Sequence, residues 1–114
     1  MREYKLNIDE VVVSRHEQTV YNCLGLGSCI GLFLQDRQTG ISGGAHILLP
    51  QQVPAIVAEL LKQFKALGSN LLNLRAKVVG GANVIATGYE VGSQNANSVI
   101  EQLIQQRIYI AAQD

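Results

Sequence analysis

The sequence has no tryptophan, one methionine, two prolines and two cysteines, and aromatic residues fill only 5% of its 114 positions. Two cysteines cannot staple a chain of this size into a disulfide framework, so its stability must come from an apolar core. In a reducing compartment both thiols are then left for chemistry. Neither sign of charge predominates, nine Lys and Arg standing against nine Asp and Glu. That balance argues against nucleic acid, an acidic polymer or an anionic membrane surface as partner. No run of about eighteen apolar residues occurs, and the opening MREYKLNIDE has no signal-peptide core. The expectation is a cytoplasmic protein without membrane insertion, acting on a protein or a small molecule. What the chain does have is 47% hydrophobic residues, enough for one core, and residues 1–114 are read as a single domain.

The apolar pattern divides this domain into strands and two helices. Residues 3 to 13 read as one or two strands with a turn near Asp9, and Thr19 to Leu24, β-branched and aromatic, as another. Ile30 to Gln35 and Ile41 to Leu49 are apolar runs separated by Asp36-Arg37-Gln38-Thr39-Gly40, the composition of a hairpin turn. Pro54 suits the first turn of a helix in which Ile56, Val57, Leu60, Leu61, Phe64 and Leu67 form one apolar face, with Gly68 at its end. Arg75 to Val79 reads as a strand closed by Gly80-Gly81, and Asn83 to Ala86 as its continuation beyond a bend. A second helix starts near Ser93 to Asn97 and buries Val99, Ile100, Leu103 and Ile104, and Ile108 to Ala112 closes the fold as a strand. The predicted class is α+β, a layered sandwich of a mixed, largely antiparallel sheet with two main helices.

One pair of residues in the hairpin has the makings of a reactive site. A turn centred between Arg37 and Gln38 pairs residues whose numbers add to 75, which sets Cys29 directly opposite His46 on the same face. Their Cβ atoms would then be about 5 Å apart. A thiol is sluggish near neutrality until an imidazole takes its proton, and His46 would supply that base. Gly25 and Gly27 leave the backbone before Cys29 uncovered, so amide groups around Ser28 and Cys29, with Gly27 beside them, are candidate oxyanion donors. Against this stands the reading of a buried structural cysteine beside a satisfied strand histidine.

The residues that carry this pattern also resemble a known family. Leu24-Gly25-Leu26-Gly27-Ser28-Cys29-Ile30-Gly31, Gly43-Gly44-Ala45-His46-Ile47-Leu48-Leu49-Pro50, Ala76-Lys77-Val78-Val79-Gly80-Gly81-Ala82 and Val91-Gly92-Ser93-Gln94-Asn95 look like the ordered motifs of CheD proteins. The resemblance implies a cysteine-dependent protein-glutamine glutaminase that hydrolyses glutamine side chains of chemotaxis receptors to glutamate, regulating chemotaxis. It implies Cys29 as nucleophile and His46 as base, no cofactor, and a fold shared with toxin-type deamidases. It also implies a methyl-accepting receptor as substrate and a CheC-like phosphatase of CheY as a further partner. The competing function is a binding module for receptors or for that phosphatase, with little or no turnover.

Three departures from the family pattern bear on these expectations. Cys23 stands where the family usually has the threonine taken as a third catalytic residue, with Asn22 and Thr19 as nearby polar substitutes. Gln94 stands where the glycine-asparagine motif normally has arginine, and Gln94 and Asn95 are candidates for the substrate rim. The chain ends at Asp114, where family members usually continue, which suggests a minimal version. Cys23 reads first as a buried structural thiol and second as a partner for a reversible disulfide with Cys29. Cys23, Cys29, His46 and His16 lack paired ligand spacing, so no metal is expected.

Overall fold

The structure, a computed structural model, describes residues 2–15, 19–23, 26–81 and 91–113, with only the backbone of residues 91–93. Its strands are β1 (Arg2–Lys5), β2 (Val11–Ser14), β3 (Thr19–Asn22), β4 (Ile30–Asp36), β5 (Ser42–Ile47), β6 (Leu74–Gly80) and β7 (Tyr109–Gln113), with helices α1 (Val53–Ala66) and α2 (Val91–Gln105). Five strands form one sheet in the order β2-β5-β4-β6-β7, antiparallel except for the β6 and β7 pair. Strands β1 and β3 make a separate parallel ribbon. The mixed, largely antiparallel sheet with two helices is the α+β arrangement expected from the pattern.

The two-residue period of β4 sorts its side chains between the layers. Ile30, Leu32 and Leu34 join Ala45, Ile47, Leu74, Ala76 and Val78 on one face, where they meet Val57, Leu60 and Phe64 of α1 and Val99 and Leu103 of α2. Burying each such side chain contributes about 1.5–3 kcal/mol relative to leaving it in water. Phe33, on the other face, lies 6.3 Å from the Tyr21 ring of β3, which places the ribbon on the side of the sheet opposite the helices. Tyr21 also donates its hydroxyl to the Ser42 carbonyl at 2.8 Å.

Helix α1 begins with Pro54 in its first turn and ends where Gly68 and Ser69 donate to the Lys65 and Phe64 carbonyls. Helix α2 starts at Val91, ahead of the capping residues from which the sequence places it. Val99 and Leu103 of α2 are buried, but Ile104 is 64% exposed. The apolar stripe is therefore narrower than expected, because one residue's step turns Ile104 about 100° away from Leu103. Asn83 to Ala86 lie outside the described residues.

The hairpin register corrects the expected one. Ile30 pairs with Ile47 and Gly31 with His46, so paired numbers add to 77 rather than 75. The cause is Asp36, which belongs to the strand and not to the turn. It is fully buried, its amide donates to the Ile41 carbonyl at 2.8 Å, and its Oδ1 accepts from the amides of Gln38 at 2.9 Å and Thr39 at 3.3 Å. The Ser69 hydroxyl donates to its Oδ2 at 2.8 Å. Burial opposes ionisation of Asp36, but those donors outweigh it and hold the carboxyl below its usual range.

Candidate active site

Cys29 sits at the entrance to β4, at the end of a turn in which its amide donates to the Leu26 carbonyl at 2.6 Å. Its own carbonyl accepts from the Gly81 amide at 3.0 Å, tying the turn to the end of β6. Gly80 makes this possible: its φ is +95°, and a Cβ built there would run into the Cys29 carbonyl oxygen. The glycine pair that closes β6 thus bears directly on the Cys29 turn.

His46 pairs with Gly31, two positions beyond Cys29, so it lies diagonally across from Cys29 rather than directly opposite. Cys29 itself precedes the ladder, whose last pair is Ile30 with Ile47. Diagonal neighbours are about 7–8 Å apart at Cα, against about 5 Å between Cβ atoms of direct partners. No hydrogen bond joins the Cys29 thiol to the imidazole, and His46 Nε2 is buried without a partner. The other ring nitrogen, Nδ1, lies 3.0 Å from the Leu6 carbonyl oxygen. A carbonyl only accepts, so Nδ1 carries the hydrogen and Nε2 is the nitrogen left with a free lone pair. Cys29 is 6% exposed and His46 4%.

Two further residues come close to this pair. Cys23 lies over Gly31, its Sγ 3.5 Å from where a Cβ on that glycine would be. It is half-buried, and burial, with the nearby Cys29, pushes its thiol up. Asp9 is the residue that the sequence reading treated only as part of a turn. Its amide donates to the His46 carbonyl at 2.7 Å, while the His46 amide donates to the Glu10 carbonyl at 3.2 Å. Asp9 has φ +67°, a left-handed conformation that Asp tolerates better than most residues. Its Oδ2 accepts from Gln52 Nε2 at 3.2 Å, and Gln52 Oε1 accepts from the Leu49 amide at 3.1 Å. Burial pushes the Cys29 thiol up, and the Asp9 carboxylate pushes it further. No local motif marks Asp9; only the pairing with His46 reveals it.

The remaining candidates separate. Gly27 and Ser28 form the turn before Cys29, Gly27 with φ +48°. Asn95 is 0% exposed, and its Nδ2 donates to the carbonyls of Ser28 at 2.9 Å and Leu48 at 2.8 Å, while Oδ1 is buried without a partner. Gln94 is exposed on α2. Asn22 donates from its side chain to Glu3 at 2.6 Å. A groove of about 390 Å³ on the ribbon side, lined in part by Tyr21, Phe33, Arg75 and Lys77, includes neither Cys29 nor His46. Among the described residues no three His, Cys, Asp or Glu side chains converge as a metal site would require, and no helix is long and apolar enough to cross a membrane.

A family model described as CheD, chemotactic sensory transduction, matches residues 51–114, a stretch that begins after both Cys29 and His46. A "Probable chemoreceptor glutamine deamidase CheD" of Clostridium botulinum is 34% identical over 108 residues, covering 80% of this chain and 67% of that protein. One from Pyrococcus abyssi is 32% identical over 129 residues, covering 99% of this chain and 78% of its own. A "Probable chemoreceptor glutamine deamidase CheD 1" of Methanosarcina mazei is 36% identical over 103 residues, and this chain spans 47% of its length. The crystal structure of a Neisseria meningitidis protein of family DUF152 superposes with a TM-score of 0.60 at 8% identity, over 99% of this chain and 62% of that one. At that identity the likeness is one of fold.

Proposed function

We propose that this chain, which belongs to the CheD family, is a protein-glutamine deamidase that converts glutamine side chains of chemotaxis receptors to glutamate in the cytoplasm. The observation that carries the reading is the tautomer of His46. The Leu6 carbonyl accepts its Nδ1 hydrogen, and Nε2 is left buried and unpartnered on a residue that pairs with Gly31, two positions after Cys29.

In the reaction this supports, His46 Nε2 takes the Cys29 proton, and the thiolate attacks the carboxamide carbon of glutamine. The tetrahedral oxyanion is held by backbone amides of the turn. The Cys29 amide is already donated to Leu26, so those of Gly27 and Ser28 fill this role. The protonated His46 then gives its proton to the departing nitrogen, releasing ammonia and leaving a thioester. A water that yields a proton to His46 attacks the thioester, glutamate leaves, and the thiol is restored. No hydrogen bond joins the thiol to Nε2, so on this reading the two come into contact before the first transfer. Cys23, over Gly31, lies where it can brace that approach.

The test is incubation with a receptor cytoplasmic domain, following ammonia release and the near one-dalton mass gain at glutamine. Turnover that disappears in Cys29→Ala supports the reading; no gain with the wild type, or an equal gain with Cys29→Ala, sinks it. A second reading has its own support, the raised thiol and its lack of a hydrogen bond to His46. It is a binding module for receptors or a CheC-like phosphatase. On that reading Cys29→Ala binds its partner as the wild type does, and the wild type turns over no glutamine.

A further inference from the structure

The β4 and β5 ladder stops short of the two residues that most need to be held. Its last pair is Ile30 with Ile47. One step further, Cys29 and Leu48 would face each other, but the Cys29 amide turns back to Leu26. Asn95 reaches from α2 into this gap, its Nδ2 donating at 2.9 Å to Ser28, the residue before the nucleophile, and at 2.8 Å to Leu48, two residues after the base. Both amide hydrogens are used, and both acceptors are carbonyls. The nitrogen must therefore face them, and the usual ambiguity between amide oxygen and nitrogen is settled by chemistry. The oxygen is buried without a partner.

We infer that Asn95 is a positioning residue: its amide replaces the missing ladder rung and fixes the Cys29 turn against the strand of His46. It touches neither substrate nor the reacting atoms. It acts through the separation of nucleophile and base, to which a shift of about 1 Å matters far more than it does to global stability. The inference deepens the deamidase reading, but only its activity readout rests on that reading.

The test compares Asn95→Ala with Val99→Ala, which empties a fully buried site one turn along the same helix. The pH profile of Cys29 alkylation by iodoacetamide, resolved from Cys23 by fragment mass spectrometry, is measured alongside Tm and deamidation kinetics. Asn95→Ala should move the profile to lower pH as the turn opens, with alkylation near neutrality faster by about 3-fold or more. Its kcat should fall at least about 10-fold with KM within about 3-fold. Val99→Ala should lower Tm and leave both the profile and kcat within about 2-fold of wild type. Asn95→Ser, which restores one donor, should fall between wild type and Asn95→Ala and serves if alanine does not fold. An unmoved profile in the Asn95 variants, or an equal movement in Val99→Ala, overturns the inference. A moved profile in a protein that deamidates no glutamine overturns the deamidase reading and leaves the positioning role standing.

Discussion

His46 Nδ1 lies 3.0 Å from the carbonyl oxygen of Leu6, forty residues earlier in the chain. The acceptor is backbone, so no substitution at Leu6 removes it directly, and the proton placement is built into the path of the chain after β1. If His46 is the base, His46→Gln should lower kcat by about 10²–10⁴. Thermal unfolding should show a cost of only about 1–3 kcal/mol from the lost buried hydrogen bond. Ammonia release from a receptor domain reads the first and calorimetry the second. A variant that keeps more than about a tenth of wild-type kcat would remove His46 from the mechanism.

Asp9 gives the thiol its own prediction. The carboxylate raises the Cys29 thiol beyond what burial does, so Asp9→Asn should bring it down and enlarge the thiolate fraction near neutrality. Alkylation of Cys29 near pH 7 should speed up by about 2- to 5-fold. At high pH, where the thiol is ionised in both proteins, the rates should converge. A constant ratio across the whole pH range would mean that Asp9 governs access and not charge.

Asp36 ties the hairpin turn to the loop after α1 through Ser69, Gln38 and Thr39. Its folded-state pKa is depressed, so its contribution to stability is fully present above the ordinary carboxylate range and is lost as pH falls through the depressed value. The wild type should therefore lose urea resistance between about pH 5 and about pH 3 by more than Asp36→Asn does. Asp36→Ala should cost about 2–4 kcal/mol near neutral pH, since it leaves buried donors without a partner. Parallel pH dependence in wild type and Asp36→Asn would count against this account.

Gly80→Ala should be among the most damaging single-methyl changes in the protein. The added carbon meets the Cys29 carbonyl, a backbone atom that cannot swing aside, at a φ of +95° that alanine disfavours. A loss of about 3 kcal/mol or more is expected, with Cys29 alkylation accelerated in whatever folds. Gly27→Ala makes the contrast: no atom lies within 4 Å of its added carbon, so it should cost only about 1 kcal/mol from its positive φ.

The strands and helices were legible because their apolar periods are long and uninterrupted, as in α1 and β6. The hairpin that carries His46 was legible for a similar reason, its two apolar runs flanking a polar turn. The register itself was not, because an aspartate beside a turn reads as solvent-exposed, whereas Asp36 is buried and paired with Ile41, Leu74 and Ser69. Asp9 and Asn95 escaped for a related cause. What they do depends on contacts with residues 37 to 67 positions away along the chain. Ile104 shows the opposite failure: a hydrophobic residue next to a buried one was counted as core, although the helix turns it outward.

The clasp made by Asn95 also sets an order of events during synthesis. Cys29 and His46 both leave the ribosome well before residue 95, so a nascent chain can hold its thiol and imidazole without yet holding them in place. The turn is braced only once α2 has emerged and docked. Until that moment the growing polypeptide carries the Cys29 turn unbraced, and its thiol is at its most open to alkylation or oxidation before α2 has docked.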